Sequence, residues 1–204
     1  MSIRLLLLAL SSKIKEWFEL DYMEYATNAA AQENYVSNAT ISNPVSHWKM
    51  NDNAANKTVV DAMGVNNGTA VQNTDQLDVA GKINGALSFN GSTDYVDCPS
   101  TGINLCNDFS ISFWAKIPDV TAEKNLFSKT KIDSWANGGK QLFVSSNGYI
   151  AIDACGVGNL TGSVAVDDNN WKHIVFVFTS SSNNCKVYIN NSLNINATLD
   201  YNKY

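Results

Sequence analysis

FSISFWAK, residues 109–116, decides the fold class. Phe109, Ile111, Phe113 and Ala115 fall on one face, and Ser110, Ser112 and Lys116 on the other, with Trp114 among the latter. Successive side chains of a pleated strand point to opposite sides, so a period of two marks a half-buried antiparallel strand. Downstream, KHIVFVFT (172–179) is apolar on both faces at its centre, as expected of an inner strand covered on both sides. CKVYINN (185–191) alternates Val187 and Ile189 against Lys186 and Tyr188. QLFVSS and YIAIDAC flank Asn147-Gly148, the pair that most readily takes the positive φ angles of a type I′ turn, which predicts a hairpin. VSHWKM, ALSF, YVDC and NLFSK are shorter strand candidates, separated by Gly- and Asn-rich turns at the intervals of a sandwich. The predicted class is all-β, a two-sheet antiparallel β-sandwich.

The beginning of the chain reads differently. LLLLAL after Arg4 has the apolarity of a signal h-region, but it is very short, lacks an A-x-A cleavage site and runs directly into KIKEWFEL. It is also too short to span a bilayer. From Ser11, Ile14, Trp17, Phe18, Tyr22 and Tyr25 recur at three- and four-residue spacing, which predicts a short amphipathic helix of about four turns. The small, polar stretch ATNAAAQENYVSNATISNP then reads as a linker, placing a domain boundary near residue 41.

Composition excludes several function classes. The formal net charge is −5 and no Lys/Arg cluster exists, whereas nucleic-acid binding draws its affinity from clustered cations. Cys98, Cys106, Cys155 and Cys185 form no CxxC pair, and His47 and His173 are the only histidines, so zinc lacks its ligand spacing. Cys98 and Cys106 bracket a short loop that a disulfide would close; four buried thiols is the other arrangement that fits. His173 inside KHIVFVF, and His47 beside Trp48, read as packed, hydrogen-bonded histidines rather than general bases. After Glu33 the only glutamate is Glu123, and Asp167-Asp168 reads as a solvated turn, so the carboxylate pair of a glycosidase is not evident. The chain is read as no enzyme, with no catalytic residue assigned.

Six ordered pieces, HWKMND, VVDAMGVNNGTA, AGKINGALSFNGSTDYVD, DFSISFWAK, NNWKHIVFVF and KVYINN, resemble the laminin-G-like jelly roll of the concanavalin A-like superfamily over residues 45 to about 199. The family places such modules in tandem on microbial surface and secreted proteins. Asn190-Asn191 stands where the family carries Asn-Gly, a mild change because Asn tolerates the turn. The family continues with further strands, which implies that residues 41–204 lack the last strands of the domain. IRLLLLALSSKIKEWFELDY is similar to the terminal strand and following helix of such a module. Residues 1–40 are therefore expected to be the tail of a preceding module in a larger multidomain protein. In the other arrangement, residues 3–10 fold back and fill the missing edge position.

The resemblance implies recognition through loops. Sugars stack on exposed aromatics while Asn and Asp satisfy their hydroxyls, and Trp135 in IDSWANGGK, with Asp133 and Asn137, is the candidate platform. Trp48, Trp114 and Trp171 are read as core. Calcium takes hard oxygen ligands from loops, and Asp61, Asn67 and Asp94 are the candidate set for a structural Ca²⁺, an ion that related jelly rolls carry. N-glycosylation sequons at Asn38, Asn56, Asn67, Asn90, Asn159, Asn190 and Asn196 suit an exported protein. The expected function is a non-catalytic carbohydrate-binding or adhesion module, extracellular or at the cell surface, with glycans or surface proteins as partners and no membrane insertion by this chain. The alternatives are a structural spacer in a surface array and a sandwich-fold glycoside hydrolase fragment.

Overall fold

The computed structural model describes residues 2–5, 44–99, 101, 103–130 and 138–203. The helix expected from Ser11 and the linker to residue 41 lie outside the described residues. Along the chain run β1 (Ser2–Leu5), β2 (Thr58–Val59), β3 (Gly68–Ala70), β4 (Asp78–Ala80), β5 (Gly85–Leu87), β6 (Val96–Cys98) and β7 (Phe109–Lys116). They are followed by β8 (Lys124–Thr130), β9 (Lys140–Val144), β10 (Tyr149–Ala154), β11 (Gly158–Ala165), β12 (Trp171–Thr179), β13 (Asn184–Ile189) and β14 (Ser192–Thr198).

These strands form an eight-stranded sheet in the order β11-β10-β9-β8-β1-β6-β3-β2, a four-stranded sheet in the order β14-β13-β12-β7, and a β4-β5 hairpin. Every ladder is antiparallel. The period-two faces account for the stacking. Phe113, Ala115, Ile174, Phe176, Phe178, Val187 and Ile195 of the small sheet share one core with Leu126, Leu142, Val144, Ile150 and Ile152 of the large one. Where the chain leaves β14, Tyr201 enters this core with no exposed surface. Its ring lies 5.4 to 6.0 Å from those of Phe109, Phe176 and Phe178, and Lys140 Nζ is 5.2 Å from its centroid. Offset and edge-on contacts of this kind add to the large apolar area that aromatic rings bury.

One of two hairpins takes the turn expected of it and the other does not. Asn190 and Asn191 both take positive φ, 49° and 67°, which is the type I′ turn, and Ile189 pairs with Ser192 across it. At Asn147-Gly148 the hairpin forms, but only Gly148 has positive φ, at 79°. Gly148 N–H donates to Ser145 O and Ser145 N–H to Tyr149 O, giving a type I turn closed by a glycine bulge. The three-residue loop absorbs Ser146, so one left-handed residue suffices where a two-residue loop needs two.

Other expectations are corrected. VSHWKM forms no strand; Trp48 makes one isolated bridge to Asp61, and its indole N–H donates to Asn66 O at 2.7 Å. All four cysteines are thiols, Cys98 and Cys185 buried and Cys106 and Cys155 half-buried. In β14 a bulge leaves Asn194 unpaired between Leu193 and Ile195. The Asn194 amide occupies the space a Cβ at Gly162 of β11 would take, so the edges of the two sheets meet there. Ser2–Leu5 lie inside the large sheet rather than at its edge, between β8 and β6.

Candidate functional site

The three oxygen donors expected to hold calcium organise two loops. Asp61 is 2% exposed. Its Oδ1 accepts the N–H groups of His47 (2.8 Å) and Met63 (3.0 Å), and Oδ2 those of Asn66 (2.9 Å) and Val65 (3.4 Å). Burial pushes this carboxyl upward, but the four N–H donors outweigh it and hold the group below the usual carboxylate range. Asn67 Oδ1 accepts the Asp61 N–H, and Asp94 Oδ2 accepts that of Asn90. N–H hydrogens gathered on both Asp61 oxygens present a positive rim, which does not fit a cation. Among the described residues no three His, Cys, Asp or Glu side chains cluster as a metal site. Trp135, Asp133 and Asn137, the loop platform, lie outside the described residues.

Ring-bearing surface occurs elsewhere, on the outer face of the small sheet. Residues directly opposite each other in a ladder point to the same side. Trp114 on β7 is opposite His173 on β12, and the next row runs Ser112, Val175, Tyr188, Leu193 across all four strands. A third row runs Ser110, Val177, Lys186, Asn196. Trp114, His173, Val175 and Tyr188 are half-buried and Leu193 is 51% exposed. The Trp114 and His173 rings lie 5.2 Å apart at 36°, and His173 Nε2 is 2.9 Å from Ser112 Oγ. Lys82, at the tip of the β4-β5 hairpin, places Nζ 5.3 Å from the Trp114 ring.

His173 is thus packed and hydrogen-bonded, as its setting in KHIVFVF implies. Trp48 belongs to the core. Trp114 and Trp171 do not: both are half-buried, and Trp114 has the parity of Ser110, Ser112 and Lys116. That parity was the available signal in FSISFWAK. Tyr188 shows the same parity, opposite Val187 and Ile189, but only the register of three ladders brings Tyr188 and Leu193 beside Val175.

Burial raises the Asp153 carboxyl, and the charge of Glu123 raises it further. Asp168 is exposed and held low by its hydrogen bond to Lys172, at 2.6 Å, which suits a turn rather than a proton donor.

The family model of the concanavalin A-like lectin/glucanases superfamily matches residues 90–202. The chain belongs to this superfamily. No curated protein matches it. The concanavalin A-like match takes in β6 to β14 and the Asn90–Asp94 loop, and so includes every residue of the outer face.

Proposed function

We propose that this chain is a non-catalytic carbohydrate-binding module of a secreted or cell-surface protein, with the outer face of the small sheet as its platform. The observation that carries this reading is the row Ser112–Val175–Tyr188–Leu193 lying beside the Trp114–His173 pair. Apolar sugar faces pack on rings and aliphatic groups, while hydroxyls need amides, alcohols and cations at the margin. Here Ser110, Asn184, Lys186 and Asn196 supply that margin. Trp135, with Asp133 and Asn137, is the second candidate position, taken from the sequence alone.

A glycan array probed with wild type, Tyr188→Ala, Leu193→Ala and Trp135→Ala tests the reading. Binding lost in the first two variants, with unchanged melting, places recognition on the sheet face; loss only in the third places it on the loop. A folded wild type that binds no glycan makes the chain a spacer. The other reading is a sandwich-fold glycoside hydrolase, for which Asp153, raised by burial and by the charge of Glu123, is the candidate proton donor. Release of reducing sugar from a bound polysaccharide, abolished by Asp153→Asn, would establish that reading over the binding module.

A further inference from the structure

The middle of the large sheet is filled by residues far away in sequence. Ser2–Leu5 pair with β8 on one side, Ser2 to Thr130, Ile3 to Lys129, Arg4 to Ser128 and Leu5 to Phe127. On the other side Ile3 pairs with Cys98, Arg4 with Asp97 and Leu5 with Val96. Both ladders are antiparallel, so β6 and β8 run parallel to each other and leave a strand-wide slot of fixed polarity between them. The slot is a demanding one. Val96, Cys98, Phe127 and Ser128, which pair across it, are all buried with that strand in place, and the backbone N–H and C=O groups that β6 and β8 turn into the slot need a strand there to pair with. Without that strand the sheet separates into β11-β10-β9-β8 and β6-β3-β2, each with an unpaired edge.

The covalent path does not dictate whose strand fills it. Residues 6–43 separate β1 from the next described residue. Fully extended, that span reaches about 130 Å, roughly three times the diameter of about 40 Å expected for a 204-residue globule. With that many residues between them, chain length does not confine Ser2–Leu5 to the slot of its own copy, and effective concentration decides which slot it fills.

From this we infer that β1 is an exchangeable strand: the β6–β8 slot of one copy accepts Ser2–Leu5 of a second copy in the same register, giving reciprocal strand-swapped dimers at high protein concentration. The occupant is a second copy of this chain because its Ser2–Leu5 is identical to the segment that the slot already holds in two-sided register. Two copies exchanging reciprocally close every edge, the symmetric solution that domain swapping takes.

Register supplies the test. Ile3 and Cys98 are opposed across an antiparallel ladder, where Cα separations of about 4.5 to 5.5 Å fall inside the range a disulfide spans. Isotopically heavy and light Ile3→Cys chains are mixed, refolded in a glutathione redox buffer over a range of concentrations, and digested. Peptides linked between position 3 and Cys98 are then weighed. Pairing within one copy gives wholly heavy and wholly light pairs alone, whereas pairing between copies gives hybrids as half of the linked peptides. The expected result is linkage within copies in dilute refolding, with hybrids rising towards the even split of random exchange as concentration increases, in step with a dimer seen by light scattering. Hybrids absent at every concentration would overturn exchange, and absence of any 3–98 linkage would overturn the slot itself. Should Ile3→Cys not fold, the Ser2→Cys/Thr130→Cys pair on the β8 side gives the same readout, since these two positions are also register partners.

Discussion

Asp61 and Tyr201 show how a residue's type constrains its role less than its partners do. An Asp in DAMGVNNGT is equally suited to a cation and to a ring of N–H donors, and the four amides aimed at its carboxylate favour the second. Asp61→Asn keeps the shape but loses the charge, and is expected to destabilise the fold by about 1 to 3 kcal/mol in urea melts at pH 7. The folded carboxyl lies below its unfolded value, so its contribution is complete above about pH 5 and fades as pH falls below about 4. The difference between wild type and Asp61→Asn should therefore shrink on acidification, and at neutral pH it should be the same in chelator as in calcium. Tyr201 makes the complementary case. Its ring is wrapped by three phenylalanines, yet its buried hydroxyl has no hydrogen-bond partner. Tyr201→Phe is expected to leave stability unchanged or raise it by about 1 kcal/mol, whereas Tyr201→Ala should cost about 3 to 5 kcal/mol through the cavity it opens. Thermal melts of the two variants, moving in opposite directions or only one of them moving, would check this.

At the scale of elements, alternation was legible and turn geometry was not. Phe109 to Lys116 and Asn184 to Ile189 form strands where the period of two predicts them, whereas KHIVFVFT, expected to be covered on both sides, alternates buried and half-buried positions because only one face packs against the other sheet. VSHWKM has similar apolar content but sits where Trp48 and Met50 only need to reach the core, and no neighbour completes a ladder. Both Asn147-Gly148 and Asn190-Asn191 mark hairpins, but loop length selects the turn, and loop length depends on which residues pair first outside it. The φ values give opposed expectations for one substitution made at two places. Asn191→Gly relieves a left-handed non-glycine residue and should stabilise by about 0.5 kcal/mol, while Asn147→Gly, away from positive φ, should destabilise slightly. Gly148→Ala strains φ at 79° and also drives a Cβ into the Asp167 carboxylate, so a loss of about 1 to 2 kcal/mol or more is expected. Chemical denaturation of the three variants ranks them directly.

Across the whole molecule, what sequence could not supply was register between distant strands. Trp114 shows its outward parity within eight residues, but the surface it joins depends on β13 and β14, and the slot that β1 fills depends on strands more than ninety residues away. The buried thiols report on the same long-range closure. Cys98 lies in β6 beside that slot and Cys185 in β13 facing the aromatic cluster, and burial pushes both up to about 12, with the charges of Asp97 and Asp61 adding at Cys98. In the unfolded chain these thiols ionise near pH 8.5, so between about pH 9 and 12 the unfolded state releases protons that the folded state retains. Stability is therefore fully present below about pH 8.5 and falls as pH rises, by about 1.4 kcal/mol per pH unit for each thiol. Replacing both by alanine should lower stability at pH 7 through lost packing but flatten its decline above pH 9. A thiol reagent at pH 8 should modify Cys106 and Cys155 in the native protein and reach Cys98 and Cys185 only at the rate of unfolding. Labelling of Cys98 ahead of Cys185 would show the β1 slot opening before the sandwich does, and simultaneous labelling would show that both sheets come apart as one cooperative unit.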